Sequence, residues 1–156
     1  MRRRKNISGL SLIELVVAFT ILMLLTSMAV PLARTRVRRD KERELRFALR
    51  EMRVAIDKYK DECDKGSFGP AKMDTECFPE SLDQLVEGVT VATDANGKKV
   101  KFLRRIPKDP FTGMTDWGMR NMKDDPKSLS WGGQHVFDVY TKSYEKAADG
   151  TSYSDW

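Results

Sequence analysis

Residues 10–33, LSLIELVVAFTILMLLTSMAVPLA, carry a single charge, Glu14. From Leu15 to Ala33 there are 19 uncharged, mostly apolar residues. As an α-helix rising about 1.5 Å per residue they span roughly 28 Å, close to the hydrocarbon thickness of a bilayer. A helix in the core of a soluble domain is apolar on one face, seldom on all of them. The run therefore predicts a membrane-embedded helix. Ahead of it, residues 1–9 (MRRRKNISG) are short, polar and strongly positive. Such a pair of segments has three fates. It is a cleaved secretory signal, with Ser27-Met28-Ala29 as a small-x-small site, an uncut signal anchor, or a leader removed before the apolar run instead of after it.

Glu14 favours the last of these. A carboxylate inside an apolar membrane helix costs several kcal/mol unless it is paired; the plainer alternatives are that it snorkels to the membrane face or stays protonated. The string Ser8-Gly9-Leu10-Ser11-Leu12-Ile13-Glu14 resembles the processing site of type IV prepilins and of the pseudopilins of type II secretion. The resemblance implies that a prepilin peptidase cuts after Gly9 and that the new amine, on Leu10, is methylated. Glu14 is the fifth residue after that cut and Pro31 the twenty-second, the places the family gives to a glutamate and a proline. Leucine as first mature residue is a departure, since phenylalanine or methionine is commoner there. The physical logic is that the amine of one subunit pairs with Glu14 of a neighbour inside a helical bundle, satisfying both charges away from water and setting register and direction. Pro31 lacks an N–H and clashes with the preceding turn, which predicts a kink or a locally melted segment.

The net charge of +5 and a pI near 9.2 invite a nucleic-acid reading, but the distribution opposes it. Arg2, Arg3, Arg4 and Lys5 lie in the leader. Without them 24 basic residues face 23 acidic ones, leaving about +1. The apolar run is also followed by Arg34, Arg36, Arg38, Arg39, Lys41 and Arg43. Counting positives alone favours a cytoplasmic C-terminus; the leader motif, being more specific, places the head on the periplasmic side. The basic cluster either binds anionic lipid headgroups, pairs with acids of neighbouring subunits or remains a solvated face.

From Arg34 to about Glu62 there is no Gly or Pro, and Leu45, Ala48, Met52, Ala55, Ile56 and Tyr59 recur at three- and four-residue spacing, which predicts a helix with one apolar stripe covered by a head. Pro79 to Val86 reads as a short helix ended by Gly88. Val89–Thr93 and Lys98–Phe102 flank Asp94-Ala95-Asn96-Gly97 as a hairpin, and Gly118–Asn121 and Val136–Tyr140 are further strands. The expectation is an α+β, pilin-like fold: leader 1–9, transmembrane and filament-core helix 10–33, amphipathic stalk helix 34–62, and a head over 63–156 with a small antiparallel sheet. Cys63 and Cys77 lie in a Gly- and Pro-containing loop, are not spaced as C-x-x-C and have no nearby histidine, which argues against zinc. In an exported head they form a disulfide; in a reducing compartment they are two free thiols.

The resemblance extends into the head. Residues 78–85 (FPESLDQL), 102–111 (FLRRIPKDPF) and 137–140 (FDVY) are similar to segments of the major pseudopilin of type II secretion. That family implies a helical homopolymer with minor pseudopilins, an inner-membrane assembly platform and its cytoplasmic ATPase. The chain would be a single-pass inner-membrane protein with a periplasmic head, assembled into a periplasmic or extracellular filament. The family also implies Ca2+ in the C-terminal loop, where Asp149 and Asp155 are the candidate ligands. The plainer reading of Asp149-Gly150 is a hydrogen-bonded turn, because the tail is shorter and less acidic than that family's calcium loop, and calcium takes six to eight oxygens, usually with several carboxylates. No catalytic constellation is visible: His135 has no nucleophile beside it, and no phosphate-binding glycine loop occurs. The alternatives are a type IV pilus major pilin, a DNA-uptake pseudopilin using Lys98, Lys99, Lys101, Arg104 and Arg105, or a secreted soluble protein.

Overall fold

The computed structural model describes residues 11–70, 75–92 and 97–156, with the backbone alone for 28–30. Gly9 and Leu10 of the processing site, and Asp94-Ala95-Asn96 of the hairpin turn, lie outside the described residues. The chain divides into two compact units, Met1–Asp40 and Lys41–Trp156.

A helix, α1, runs over Leu12–Asp64. Leu15 N–H donates to the Ser11 carbonyl at 3.2 Å, and Glu14 lies in the first turn, where a negative side chain complements the helix dipole. Hydroxyls within the apolar stretch turn back onto their own helix. Thr20 Oγ1 donates to the Val16 carbonyl at 2.7 Å, Thr26 Oγ1 to Leu22 at 2.7 Å and Ser27 Oγ to Leu24 at 3.2 Å. Each polar group is thereby satisfied without water, as an apolar environment requires.

In the second unit the face of α1 bearing Leu45, Ala48, Leu49, Met52, Ala55, Ile56 and Tyr59 is buried against Phe78, Leu82, Leu85, Leu103, Trp117, Val136, Val139 and Tyr153. Helix α2, Leu82–Glu87, starts where Ser81 Oγ accepts from Gln84 N–H at 3.4 Å and stops at Gly88. Gly88 has φ 83°, and a Cβ there would lie 2.8 Å from the Val100 carbonyl, so glycine is required for both reasons. The strands are shorter than the sequence predicts and form two separate ladders instead of one sheet. Strand β1, Val89–Thr90, pairs antiparallel with β2, Lys99–Val100; β3, Gly118–Arg120, pairs antiparallel with β4, Asp138–Tyr140. Competing acceptors shorten them. Phe102 and Leu103 N–H both donate to the Leu85 carbonyl at the end of α2, Val136 N–H donates to the Pro79 carbonyl, and Asn121 N–H donates to the Asp124 carboxylate.

A disulfide joins Cys63, in the last turn of α1, to Cys77. Between them the chain turns through Gly66 at φ 76°, while Glu76 and Cys77 take positive φ of 48° and 63°, held by the Phe78 N–H to Thr75 carbonyl bond and by Lys60 Nζ donating to the Glu76 carbonyl. Closing a loop of this length stabilises a domain by about 3 kcal/mol in the chain-entropy account. The Cys63→Ser/Cys77→Ser double variant should lose about that much in urea unfolding, and reduced wild type should match it. A double variant as stable as the oxidised protein would show that the bridge contributes nothing.

Candidate functional site

In the first unit every large apolar side chain from Leu12 to Leu25 is at least 50% exposed, reaching 82% at Leu12. The helix contains a segment long and apolar enough to cross a membrane, and none of that segment is buried within the chain. Roughly 25 cal/mol is at stake for each Å² of such surface left in water, so this segment requires lipid or protein around it. Glu14 lies on it, in the first turn of the helix. Pro31 lies inside α1, which is helical on both sides of it; the helix is not melted there. Ring closure removes the bond that residue 31 would donate to the Ser27 carbonyl, and the Pro31 carbonyl accepts a second donor, Thr35 Oγ1, at 2.9 Å.

The head's polar residues build an interior that sequence periodicity does not announce. Arg53 of α1 reaches β4, its Nε donating to Asp138 Oδ1 at 2.6 Å and its Nη2 to the Val139 and Trp156 backbone oxygens at 3.3 and 2.7 Å. Arg120, with only 5% of its side chain exposed, faces the other Asp138 oxygen at 3.6 Å. It also donates to the Ser128 and Ser154 carbonyls and lies 4.1 Å over the Tyr140 ring. Asp109, 1% exposed, accepts from Phe111 N–H at 2.8 Å and from the Thr141 hydroxyl, tying the 107–114 turn to the residue after β4. Arg53, Asp138, Arg120 and Asp109 were not singled out by sequence pattern. The only available signal is that Asp109 and Asp138 fall within two of the three family-like head segments.

His135 is buried, stacks on Phe78 with ring centroids 5.6 Å apart, and accepts the Met122 N–H at Nε2. It is a packed side chain with no nucleophile beside it. Asp149 Oδ1 accepts both the hydroxyl and the N–H of Thr151, at 2.7 and 2.9 Å, and Asp155 lies in a 3-10 turn, Tyr153–Asp155. Among the described residues no three His, Cys, Asp or Glu side chains converge as a metal would need. The turn at Asp149 is closed by Thr151, whose hydroxyl and N–H both go to Asp149 Oδ1.

Three carboxylates are held below the usual carboxylate range by hydrogen bonds to their charged forms. Backbone N–H groups of Asn121 and Gly132 do this at Asp124, the Thr151 hydroxyl and N–H at Asp149, and Lys65 and Ser67 at Glu62. Each contributes stability above its unfolded pKa, and that contribution is lost as pH falls through the lower folded value. Thermal stability should therefore drop between about pH 5 and pH 3. Asp124→Ala should flatten that slope while lowering stability at pH 7; an unchanged slope would mean that Asp124 does not tie the 121–132 loop.

Residues 4–30 match the family described as the Prokaryotic N-terminal methylation motif. Comparison with curated proteins and with solved structures gave no match. The match spans Gly9, Leu10, Glu14 and most of the apolar run, and the proteins of this motif family are structural subunits, not enzymes. The chain carries the N-terminal methylation motif of type IV pilin-like proteins, and that motif, on an apolar helix ahead of an α+β head, supports a pilin-like subunit.

Proposed function

We propose that the chain is a structural subunit of a pseudopilus supporting type II protein secretion, held in the bacterial inner membrane with its head in the periplasm until assembly. The observation that carries this reading is the exposed apolar helix with one carboxylate, Glu14, five residues beyond Gly9. Cleavage after Gly9 leaves the methylated amine of Leu10 at the end of that helix. In a bundle of such helices the amine of one subunit and Glu14 of the next neutralise each other where water is excluded. The apolar side chains exchange lipid for neighbouring helices. The chain has no nucleotide-binding loop in its sequence, so the work of assembly falls to a platform and its ATPase, with minor pseudopilins as further partners. The three head segments similar to the major pseudopilin favour secretion over a type IV pilus. All three supply the head's interior, through Phe78, Leu82, Leu85, Leu103, Asp109, Val139 and Tyr140.

Intact mass of the protein from its own membrane tests the reading. A chain lacking residues 1–9 and carrying one added methyl supports it. A chain beginning at Val30, or an uncut chain, removes the filament. Deleting the protein then separates the finer readings: loss of protein export supports the pseudopilus, loss of surface fibres the pilus, and loss of DNA uptake with salt-sensitive DNA binding by the basic run at Lys98–Arg105 the competence role.

A further inference from the structure

The apolar segment ends at Ala33 and is followed at once by cations, among which Arg34, Arg36 and Arg39 are exposed and Arg38 is half-buried. Lys41 and Arg43, also exposed, lie about 12 Å or more beyond Ala33. At about 100° per residue Arg34, Arg36 and Arg39 point roughly 0°, 200° and 140° around the helix. The gaps between them are about 140°, 60° and 160°, so they share no face. A neighbouring subunit docks on one side of a helix and meets at most two of them. A plane of headgroups encircles the helix and meets all three. Along the axis Arg34 stands about 1.5 Å and Arg39 about 9 Å beyond Ala33, across the roughly 5–8 Å headgroup layer at one face of a bilayer. Helical side chains lean toward the N-terminus, so these long side chains reach back toward that layer. All three are arginines, whose planar guanidinium pairs bidentately with phosphate.

We infer that Arg34, Arg36 and Arg39 form a collar that binds the phosphates of anionic phospholipids around the emerging helix. The inference rests on the membrane-anchored reading of the N-terminal helix. It holds whichever side of the membrane the head occupies, because both leaflets present headgroups. It also gives the second basic flank, which opposes the positive-inside bias of the leader, a partner that is lost when a subunit leaves the membrane.

The test places the full chain in lipid nanodiscs of phosphatidylcholine with a minority of phosphatidylglycerol. Spin-labelled versions of the two lipids then report which one occupies the shell next to the helix. Wild type should prefer phosphatidylglycerol by about fivefold at low salt, declining as salt is raised. Arg34→Gln/Arg36→Gln/Arg39→Gln should show almost no preference, and the corresponding triple lysine variant should keep most of it. The inference is overturned by a wild type without preference, by a preference that survives the glutamines, or by a lysine variant that behaves like the glutamine one. It is equally overturned if the glutamine variant keeps its lipid shell but self-associates less in the discs, which assigns the arginines to a neighbouring copy. A chain that does not enter the discs as a transmembrane helix refutes the anchor reading itself; one that enters without preference refutes the collar alone.

Discussion

Asp138→Ala should remove about 3 kcal/mol from the stability of the head. Its two oxygens face Arg53 and Arg120, and the two cations are not equivalent. Arg53 is about a third exposed, at 37% of its side chain, and without the aspartate it can turn to water. Arg120 is 5% exposed and cannot. It keeps the Ser128 and Ser154 carbonyls and the Tyr140 face, but none of these is an anion. Leaving a buried charge without its counter-ion typically costs 3–5 kcal/mol. The low end applies because Asp138 is itself 25% exposed and solvent already screens part of the pair. Against a total stability of about 5–15 kcal/mol, that is enough to lower Tm by roughly 10 °C. Trp117, 2% exposed, reports the transition in urea unfolding of the full chain in micelles. Arg53→Ala should cost less than Asp138→Ala, since it removes a partner from a carboxylate that retains Arg120. A loss below about 1 kcal/mol for Asp138→Ala would mean that Arg120 is held by its carbonyls alone.

That network also shows where sequence reading stops. The parts of the fold that follow from local spacing were legible. The apolar run became the N-terminal part of α1, the stripe from Leu45 to Tyr59 became its buried face, and Ser81 and Gly88 bound α2. All four strands lie within the stretches that local spacing marks, but they are shorter, because their ends are captured by acceptors far away in sequence, such as the Leu85 and Pro79 carbonyls. The pairing of β3 with β4 is not written in that spacing. Arg53 and Asp138 are 85 residues apart. Nothing in the periodicity of α1 distinguishes Arg53 from Arg46 or Arg50, which also border the stripe. Asp109 is similar: Lys108-Asp109-Pro110 reads as a polar turn, and only the fold brings Thr141 to its second oxygen. The assembly segment is the opposite case. Its signal is a short linear motif over residues 4–30, written in consecutive residues, and needs no tertiary contact to be recognised.

Glu14→Ala should leave the chain in the membrane and abolish the filament. Removing the one charge from residues 10–33 makes the segment more apolar, so insertion is preserved or improved. Assembly changes in the other direction. If the amine of Leu10 is neutralised by Glu14 of the adjacent subunit, every contact in an alanine filament leaves one ammonium unpaired among apolar helices. At 3–5 kcal/mol for breaking such a pair, the elongation equilibrium weakens by a factor of about 100 or more, because each 1.4 kcal/mol is tenfold. The subunit concentration needed to sustain a filament rises by the same factor. The measurement is the ratio of sheared filament to membrane-bound subunit, with the processed mass checked in the same sample. Glu14→Gln should fail nearly as badly, since an amide offers a hydrogen bond but no charge, and Glu14→Asp should fail less, since it keeps the charge on a side chain shorter by one methylene. Filaments at wild-type level from the alanine variant would show that Glu14 is merely tolerated in the membrane and that shape alone sets the register. Loss of the subunit from the membrane would instead show that Glu14 acts in insertion. If filaments are lost while the membrane pool and the processed mass are unchanged, the effect belongs to the contact between subunits, which is where the pairing argument puts it.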